Sequence, residues 1–239
     1  MYSTEGIIIK EEESGEADRF FTIFTKDFGK IRALGKGVRK IKAKLRSGLQ
    51  FFNHIYLEFV QGKYFYTIIE AITIDNFLDL KKEPEKSKAL FYIADILDKL
   101  IKEGKDERIW LLTLKILNKM GEKKFSGPRL HLLLRYFEWN LLNISGYSPE
   151  LYRCVNCRSK LKEGRFYFSA KEGGILCLNC RIKDGEAREI NIDTIKILRL
   201  ILGRKKEILE KLKINSERGL KEISKYYLEY ILEQELNMI

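Results

Sequence analysis

The chain contains four cysteines, set as two like-spaced pairs, Cys154-Val155-Asn156-Cys157 and Cys177-Leu178-Asn179-Cys180, with nineteen residues between the pairs. A gap of two residues lets both sulfurs of a pair turn toward one point, and this separation falls in the window of four-thiolate zinc sites. Two such knuckles facing each other complete a tetrahedron of soft ligands, the geometry of a closed structural site. Cys154, Cys157, Cys177 and Cys180 are therefore the expected ligands of one structural zinc ion per chain. With every thiol committed, no open catalytic position and no thiol nucleophile are expected. Two disulfides are the alternative, and the lack of secretory features argues against them.

A chain of 239 residues exceeds the usual single-domain size, so two or three modules are expected. No apolar run approaches the roughly 18 residues of a membrane helix. Met1 to Glu11 has no basic segment followed by a long apolar core, so no signal peptide is read. These features predict a cytoplasmic protein without a membrane partner. The net charge is +11, and its placement says more than its size. Between Lys26 and Arg46 nine cations face Asp27 alone, a local balance of +8. Charge concentrated on one segment points to a polyanion partner, whereas scattered lysines would read as a solvated face.

Residues 2–75 read as β-structure. Gly6 to Ile9, Phe20 to Thr25 and Ile31 to Leu34 form three short strands, with Asp27-Phe28-Gly29-Lys30 as a turn. Two longer strands, Phe51 to Val60 and Tyr64 to Ile74, are joined by a tight Gln61-Gly62-Lys63 turn. Five antiparallel strands in about 75 residues suit a small closed barrel, with the oligonucleotide-binding fold as the leading case. Lys81-Lys82-Glu83-Pro84 reads as a charged linker. Beyond it Leu90, Ile93, Ala94, Leu97 and Leu100 share one helical face, and Trp110, Leu114 and Leu117 repeat the pattern. The stretch Leu130 to Trp139 is apolar nearly all round, as in the centre of a bundle. Arg165 to Phe168 and the Gly173-Gly174 turn suggest a zinc-ribbon hairpin. Helices around Ile192 to Arg199, Ile208 to Leu212 and Leu220 to Leu236 complete the chain. The expected architecture is α+β and multidomain. It comprises a five-stranded OB-fold barrel (1–80), a first helical part (81–153), a four-cysteine zinc ribbon (154–182) and C-terminal helices (183–239).

The functional candidates are Lys30, Arg32, Lys36, Arg39, Lys40, Lys42, Lys44 and Arg46, cations spaced to follow a phosphate backbone. Each phosphate neutralised releases a counterion, which gives affinity without sequence reading. Phe51, Phe52, Tyr56, Tyr64 and Tyr66 offer rings for base stacking, although strand alternation sends about half of such rings inward. Gly35-Lys36-Gly37 is too short for a phosphate-binding loop. His54 and His131, the two histidines, sit in a strand and an apolar helix and read as structural. No carboxylates form an acid/base or metal pattern, so no enzyme is expected.

Several residues together resemble the RecO family of bacterial DNA repair and recombination mediators. They are Glu5-Gly6-Ile7-Ile8-Ile9-Lys10, Gly15-Glu16-Ala17-Asp18-Arg19, Gly29-Lys30-Ile31 and Lys36-Gly37-Val38-Arg39-Lys40. Phe137-Glu138, Leu141-Leu142 and Gly146-Tyr147-Ser148-Pro149 before the first cysteine pair, and Gly173-Gly174 before the second, extend the likeness. Ser14 stands where an aromatic is common, and Phe51 where a proline is common. The resemblance implies an oligonucleotide-binding barrel followed by a helical domain with a zinc ribbon. It also implies binding of single- and double-stranded DNA, annealing of complementary strands, and action with RecR in loading recombinase onto strands coated by single-strand-binding protein. The acidic C-terminal tail of that protein is an implied partner, with RecF and the recombinase as indirect ones, and an association with the nucleoid during repair. Two other readings stay open: a nucleic-acid-modifying enzyme that uses barrel and ribbon as grips, and a protein-only scaffold that binds acidic tails.

Overall fold

The computed structural model describes residues 1–40, 44–101, 104–162, 164–203 and 217–236. Met1–Leu114 and Lys115–Ile239 form two compact units. In the first unit, β1 (Tyr2–Ser14), β2 (Asp18–Thr25), β3 (Gly29–Gly35), β4 (His54–Gln61) and β5 (Tyr66–Asp75) close into a barrel in the order β1-β2-β3-β5-β4. Apolar residues at alternate positions, Phe21 and Ile23 on β2 and Ile31 and Ala33 on β3, turn inward. They meet Ile8, Ile55, Leu57, Phe59 and Ile68 in one core. A shift of register between Ile8 and Lys10 bends the long β1, which pairs with β2 from Gly6 to Ser14 and with β4 from Tyr2 to Ile7.

The expectation of five antiparallel strands needs correcting at the closure. Every neighbouring pair is antiparallel except β3–β5, which is parallel through Ala33↔Tyr66 and Leu34↔Thr67. A ring with an odd number of strands cannot alternate direction throughout, so one parallel contact is unavoidable. The fourth strand also starts later than the apolar run suggests. Phe51 and Phe52 lie in a turn, with Phe52 fully buried at φ 59°. Lys81 and Lys82 belong to a short helix, α1 (Leu78–Lys82), rather than to a linker. Its start is held by Asp75, whose carboxylate accepts from the Phe77 amide at 2.8 Å, and by Asn76, whose side chain accepts from the Leu78 amide at 3.1 Å.

Pro84 opens α2 (Pro84–Leu100), where a missing N–H costs nothing. Its buried face includes Leu90, Ile93, Ala94 and Leu97 and lies along β1. Trp110, near the start of α3 (Glu107–Gly121), packs against Phe24 at 5.4 Å and edge-on against His54 at 5.5 Å. His54 Nε2 also lies 3.0 Å from Glu5, so this histidine is tied into the barrel wall.

The second unit is built round α4 (Pro128–Ile144), which is buried on nearly every face from Leu133 to Leu142. Helices α5 (Ile192–Leu202) and α6 (Glu217–Leu232) pack on it. Trp139 is the hub. Its indole N–H donates to Ser224 Oγ at 2.7 Å, its ring stacks on Tyr227 at 5.5 Å, and Phe168 meets both rings edge-on. Asn191 caps α5 by accepting from the Thr194 amide at 2.7 Å. The ribbon is a three-stranded sheet in the order β7-β6-β8, made of β6 (Phe166–Ser169), β7 (Gly174–Cys177) and β8 (Arg188–Ile190). The hairpin expected from sequence thus gains a third strand. The helix expected around Ile208 to Leu212 lies outside the described residues. No described helix is long and apolar enough to cross a membrane.

Candidate nucleic-acid interface and metal centre

The basic segment leaves the barrel at the end of β3 and is anchored at both ends. Val38 and Leu49 are buried in the barrel core. The Gly37 amide donates to Asp18 Oδ1 at 2.7 Å, and the Arg39 amide to the Ala17 carbonyl at 3.0 Å, tying the segment to the β1–β2 turn. On the return, Asn53 Nδ2 donates to the carbonyls of Ser47 and Gly48 at 3.2 and 3.0 Å. Gly48 passes so close to β5 that a Cβ would lie 2.4 Å from the Ala71 carbonyl oxygen, so only glycine fits. With its two ends anchored in this way, the segment leaves Lys36, Arg39, Lys40, Lys44 and Arg46 exposed. Lys42 lies outside the described residues.

The predicted cations are not equivalent. Lys30 turns its ammonium to the Asp98 backbone carbonyl and to the Asp98 carboxylate, 3.2 Å away on α2. Arg32 binds Glu12 at 3.0 Å, and its guanidinium lies over the Phe20 ring, 4.1 Å from the centroid. Arg39 is 3.5 Å from Glu13 and donates to the Gly15 carbonyl at 3.2 Å. Among the described residues, Lys36, Lys40, Lys44 and Arg46 have no acidic partner. The free charge therefore lies on Lys36 and Lys40 in the turn and on the 3₁₀ segment Lys44–Arg46, while Glu12 and Glu13 near the end of β1 hold Arg32 and Arg39, and Asp98 holds Lys30.

One cation outside the expected set joins the basic segment in space. Arg19, Arg39 and Arg46 line a cavity of about 250 Å³ together with Gln50 and the apolar Phe21, Val38 and Leu49. Arg19 precedes the basic run and lies 20 and 27 positions from Arg39 and Arg46, but the β2–β3 register places it opposite Gly35, where the chain leaves the barrel toward them. It is itself paired with Glu11 at 3.0 Å and Glu13 at 3.6 Å. Charge counting along the chain could not find it. Its place in the Gly15-to-Arg19 stretch was the only sequence signal. Three arginines lining one cavity bring side chains of the kind that recognise phosphate oxygens through planar, multi-donor groups.

The four cysteines meet as their spacing predicts. Their sulfurs all lie within 4.8 Å of one another, and Cys157 Sγ is 3.9 Å from Cys177 Sγ. A tetrahedral zinc with bonds near 2.3 Å has sulfur–sulfur edges of about 3.8 Å, so the cluster is of a size to hold zinc. The first knuckle closes through Arg158, whose amide donates to the Cys154 carbonyl at 2.9 Å. The Val155 amide donates to the Ile175 carbonyl on β7 at 2.8 Å, docking that knuckle onto the strand. Cys177 ends β7, and the 3₁₀ turn Leu178–Lys183 carries Cys180 back. Asn156 Nδ2 donates to Cys180 Sγ at 3.2 Å, and the Cys177 amide to Cys154 Sγ at 3.5 Å, contacts that stabilise thiolates. The hydroxyl and amide of Ser159 draw the Cys157 thiol down to about 6, whereas burial pushes Cys177 up to about 11. A bound cation would hold both as thiolates.

Known proteins match this chain along nearly its whole length. The family described as Recombination protein O N terminal matches residues 1–77, and Recombination protein O C terminal matches residues 82–238. The DNA repair protein RecO of Roseiflexus sp. (strain RS-1) is 32% identical over 241 residues, 98% of this chain and 82% of that protein. The DNA repair protein RecO of Dehalococcoides mccartyi (strain CBDB1) is 34% identical over 217 residues, 90% of this chain and 84% of that protein. The same-named protein of Acetivibrio thermocellus is 34% identical over 237 residues, 97% of this chain and 90% of its own length. Matched over residues 1–77 and 82–238, and with relatives above 30% identity along nearly all of its length, the chain is a member of the RecO family of DNA repair proteins.

Proposed function

We propose that the chain is a non-catalytic mediator that binds single- and double-stranded DNA on its barrel and anneals complementary strands. The observation that carries this reading is the segment, anchored at its two ends, whose Lys36, Lys40, Lys44 and Arg46 lack acidic partners among the described residues, beside the three-arginine cavity. Free cations on a fixed scaffold neutralise phosphates without reading bases. Annealing then has a physical cause: a surface that neutralises two backbones at once lowers their mutual repulsion. Lys30, Arg32, Arg39 and Lys42 complete the proposed contact set, with Lys30 and Arg32 weakened as phosphate ligands by Asp98 and Glu12.

The proposed division of labour follows the barrel to residue 80, helices over 81–153, ribbon over 154–182 and helices beyond. One structural zinc per chain, held by Cys154, Cys157, Cys177 and Cys180, would brace the ribbon. With RecR, the protein would help load recombinase onto strands coated by single-strand-binding protein, whose acidic tail is a further partner, and RecF would act indirectly. The test is annealing of complementary oligonucleotides, naked and coated with single-strand-binding protein, in the absence of nucleotide. Acceleration in both settings is expected, and failure in both would end the reading.

A further inference from the structure

A second cleft opens on the barrel where β3 and β5 run parallel. The β4–β5 connection, residues 62–65, is drawn tight by the Gly62 amide, which donates to the Phe65 carbonyl at 3.0 Å. A Cβ at Gly62 would lie 2.7 Å from that oxygen, so glycine is required for the turn. The result is that Tyr64 and Phe65, read from sequence as the start of a strand, stand out of the barrel. Tyr64 is 81% exposed and Phe65 41%. Arg32, Phe28, Tyr64, Phe65 and Tyr66 line a cavity of about 500 Å³ here.

The rings and cations of this cleft are already arranged against one another. The Arg32 guanidinium lies over the Phe20 ring, 4.1 Å from its centroid, and Phe20 meets Phe65 edge-on at 5.1 Å. The Lys63 ammonium is 5.2 Å from the Tyr64 ring centre. At the cleft floor, Phe28 and Tyr66 pack on the buried Phe59 at 5.4 and 5.1 Å, which holds them in place. The one acid of the lining, Asp27, is compensated by the Thr4 hydroxyl at 2.8 Å and by Lys105 at 3.1 Å. Flat apolar faces beside cations suit a planar, π-rich group attached to an anionic chain. The free cations begin nearby. Lys36 follows Arg32 by four residues, about 13 Å of extended strand.

Building on the DNA-binding reading above, we infer that Tyr64 and Phe65 form a stacking site for an unpaired nucleobase. The phosphates flanking that base would run toward Lys36 and the basic turn. In a duplex the bases are stacked inside and cannot enter the cleft, so the site adds affinity for single strands only. It also gives annealing a direction. Each strand is held with bases splayed until pairing withdraws them from the cleft, and the duplex keeps only the phosphate contacts.

The test compares three probes of equal length: an oligothymidylate, the same chain made of abasic sites, and a duplex. The wild-type protein should bind oligothymidylate roughly tenfold or more tighter than the abasic chain, the scale of one stacked base. The pair Tyr64→Ala with Phe65→Ala should lose that margin, while its affinity for abasic chain and duplex stays within about twofold of wild type. The pair Tyr64→Phe with Phe65→Tyr keeps both rings and should keep the margin. Equal losses on all three probes, or no loss on any, would overturn the stacking site while leaving DNA binding intact. A wild-type protein that bound none of the probes would remove the DNA-binding reading, and the site with it.

Discussion

The guanidinium of Arg39, in the turn that follows β3, lies 3.5 Å from the carboxylate of Glu13 near the end of β1. Both side chains are solvent-accessible, at 36% and 63%, so the pair is a weak one. Glu13 nevertheless sits beside a cation of the proposed contact set, where its charge would repel a phosphate. Glu13→Gln should therefore strengthen DNA binding, by up to about fivefold given what exposed pairs contribute. A fluorescence anisotropy titration reads this directly, and an unchanged or weaker affinity would show that Arg39 does not meet phosphate.

The unequal environments of the cations predict unequal salt dependence. Replacing Lys36, Lys40 and Arg46 together by glutamate should weaken binding to every sequence and flatten the log-affinity against log-salt slope by roughly 2 to 3. Lys30→Gln should leave that slope nearly unchanged, because Asp98 already holds the ammonium. Equal slopes in the triple variant and the wild type would contradict the proposed interface.

Metal should matter to stability before it matters to DNA. Purified protein is expected to carry one zinc per chain by elemental analysis. Cys154→Ser or a strong chelator should remove it and lower the thermal midpoint of the C-terminal unit, since zinc binding in small ribbons is itself folding free energy. DNA affinity should fall only as far as folding does. A well-folded, metal-free variant with lost binding would move the ribbon into the interface.

Burial pushes the Tyr227 hydroxyl up to about 12. Its ring is only 3% exposed, and its hydroxyl donates to the Tyr147 carbonyl at 3.1 Å. A raised pKa means that the folded state keeps its proton where the unfolded chain has lost it. The associated stability is complete below pH 10, the ordinary tyrosine value, and drains away as pH climbs from there to about 12. Denaturant titrations should show roughly 2 to 3 kcal/mol lost by wild type over that range, in excess of the loss by Tyr227→Phe. The buried Tyr226 shifts the same way but is present in both proteins, so it cancels. Parallel pH profiles for the two would refute the assignment.

Much of the candidate site was legible because its signals are local. The two-residue gap in Cys154-Val155-Asn156-Cys157 dictates that its sulfurs converge, whatever surrounds them. Alternation at Phe21 and Ile23 and the three-four spacing of Leu90, Ile93, Ala94 and Leu97 likewise announce their elements. The strand β8 was not legible, since three residues, Arg188–Ile190, carry too little alternation to register. Tyr64 and Phe65 misled for the opposite reason: their aromatic character suits a strand, and the tight turn that the Gly62 amide closes on the Phe65 carbonyl at 3.0 Å overrides it.

By itself, then, the sequence determined that there would be a barrel, a helical unit, a four-sulfur cluster and a segment of concentrated positive charge. Each follows from periodicity or spacing within a few residues. Only the tertiary structure decided which of those charges are free, because a cation's nearest carboxylate is set by strand register and helix packing. Lys30 meets Asp98 across 68 positions of chain, and Arg19 reaches the basic segment only because it pairs with Gly35. The parallel closure of β3 on β5 was decided at the same level, since direction round a five-stranded ring is a property of the whole ring. Coulomb energies depend on distance in space, and distance in space is what the fold supplies.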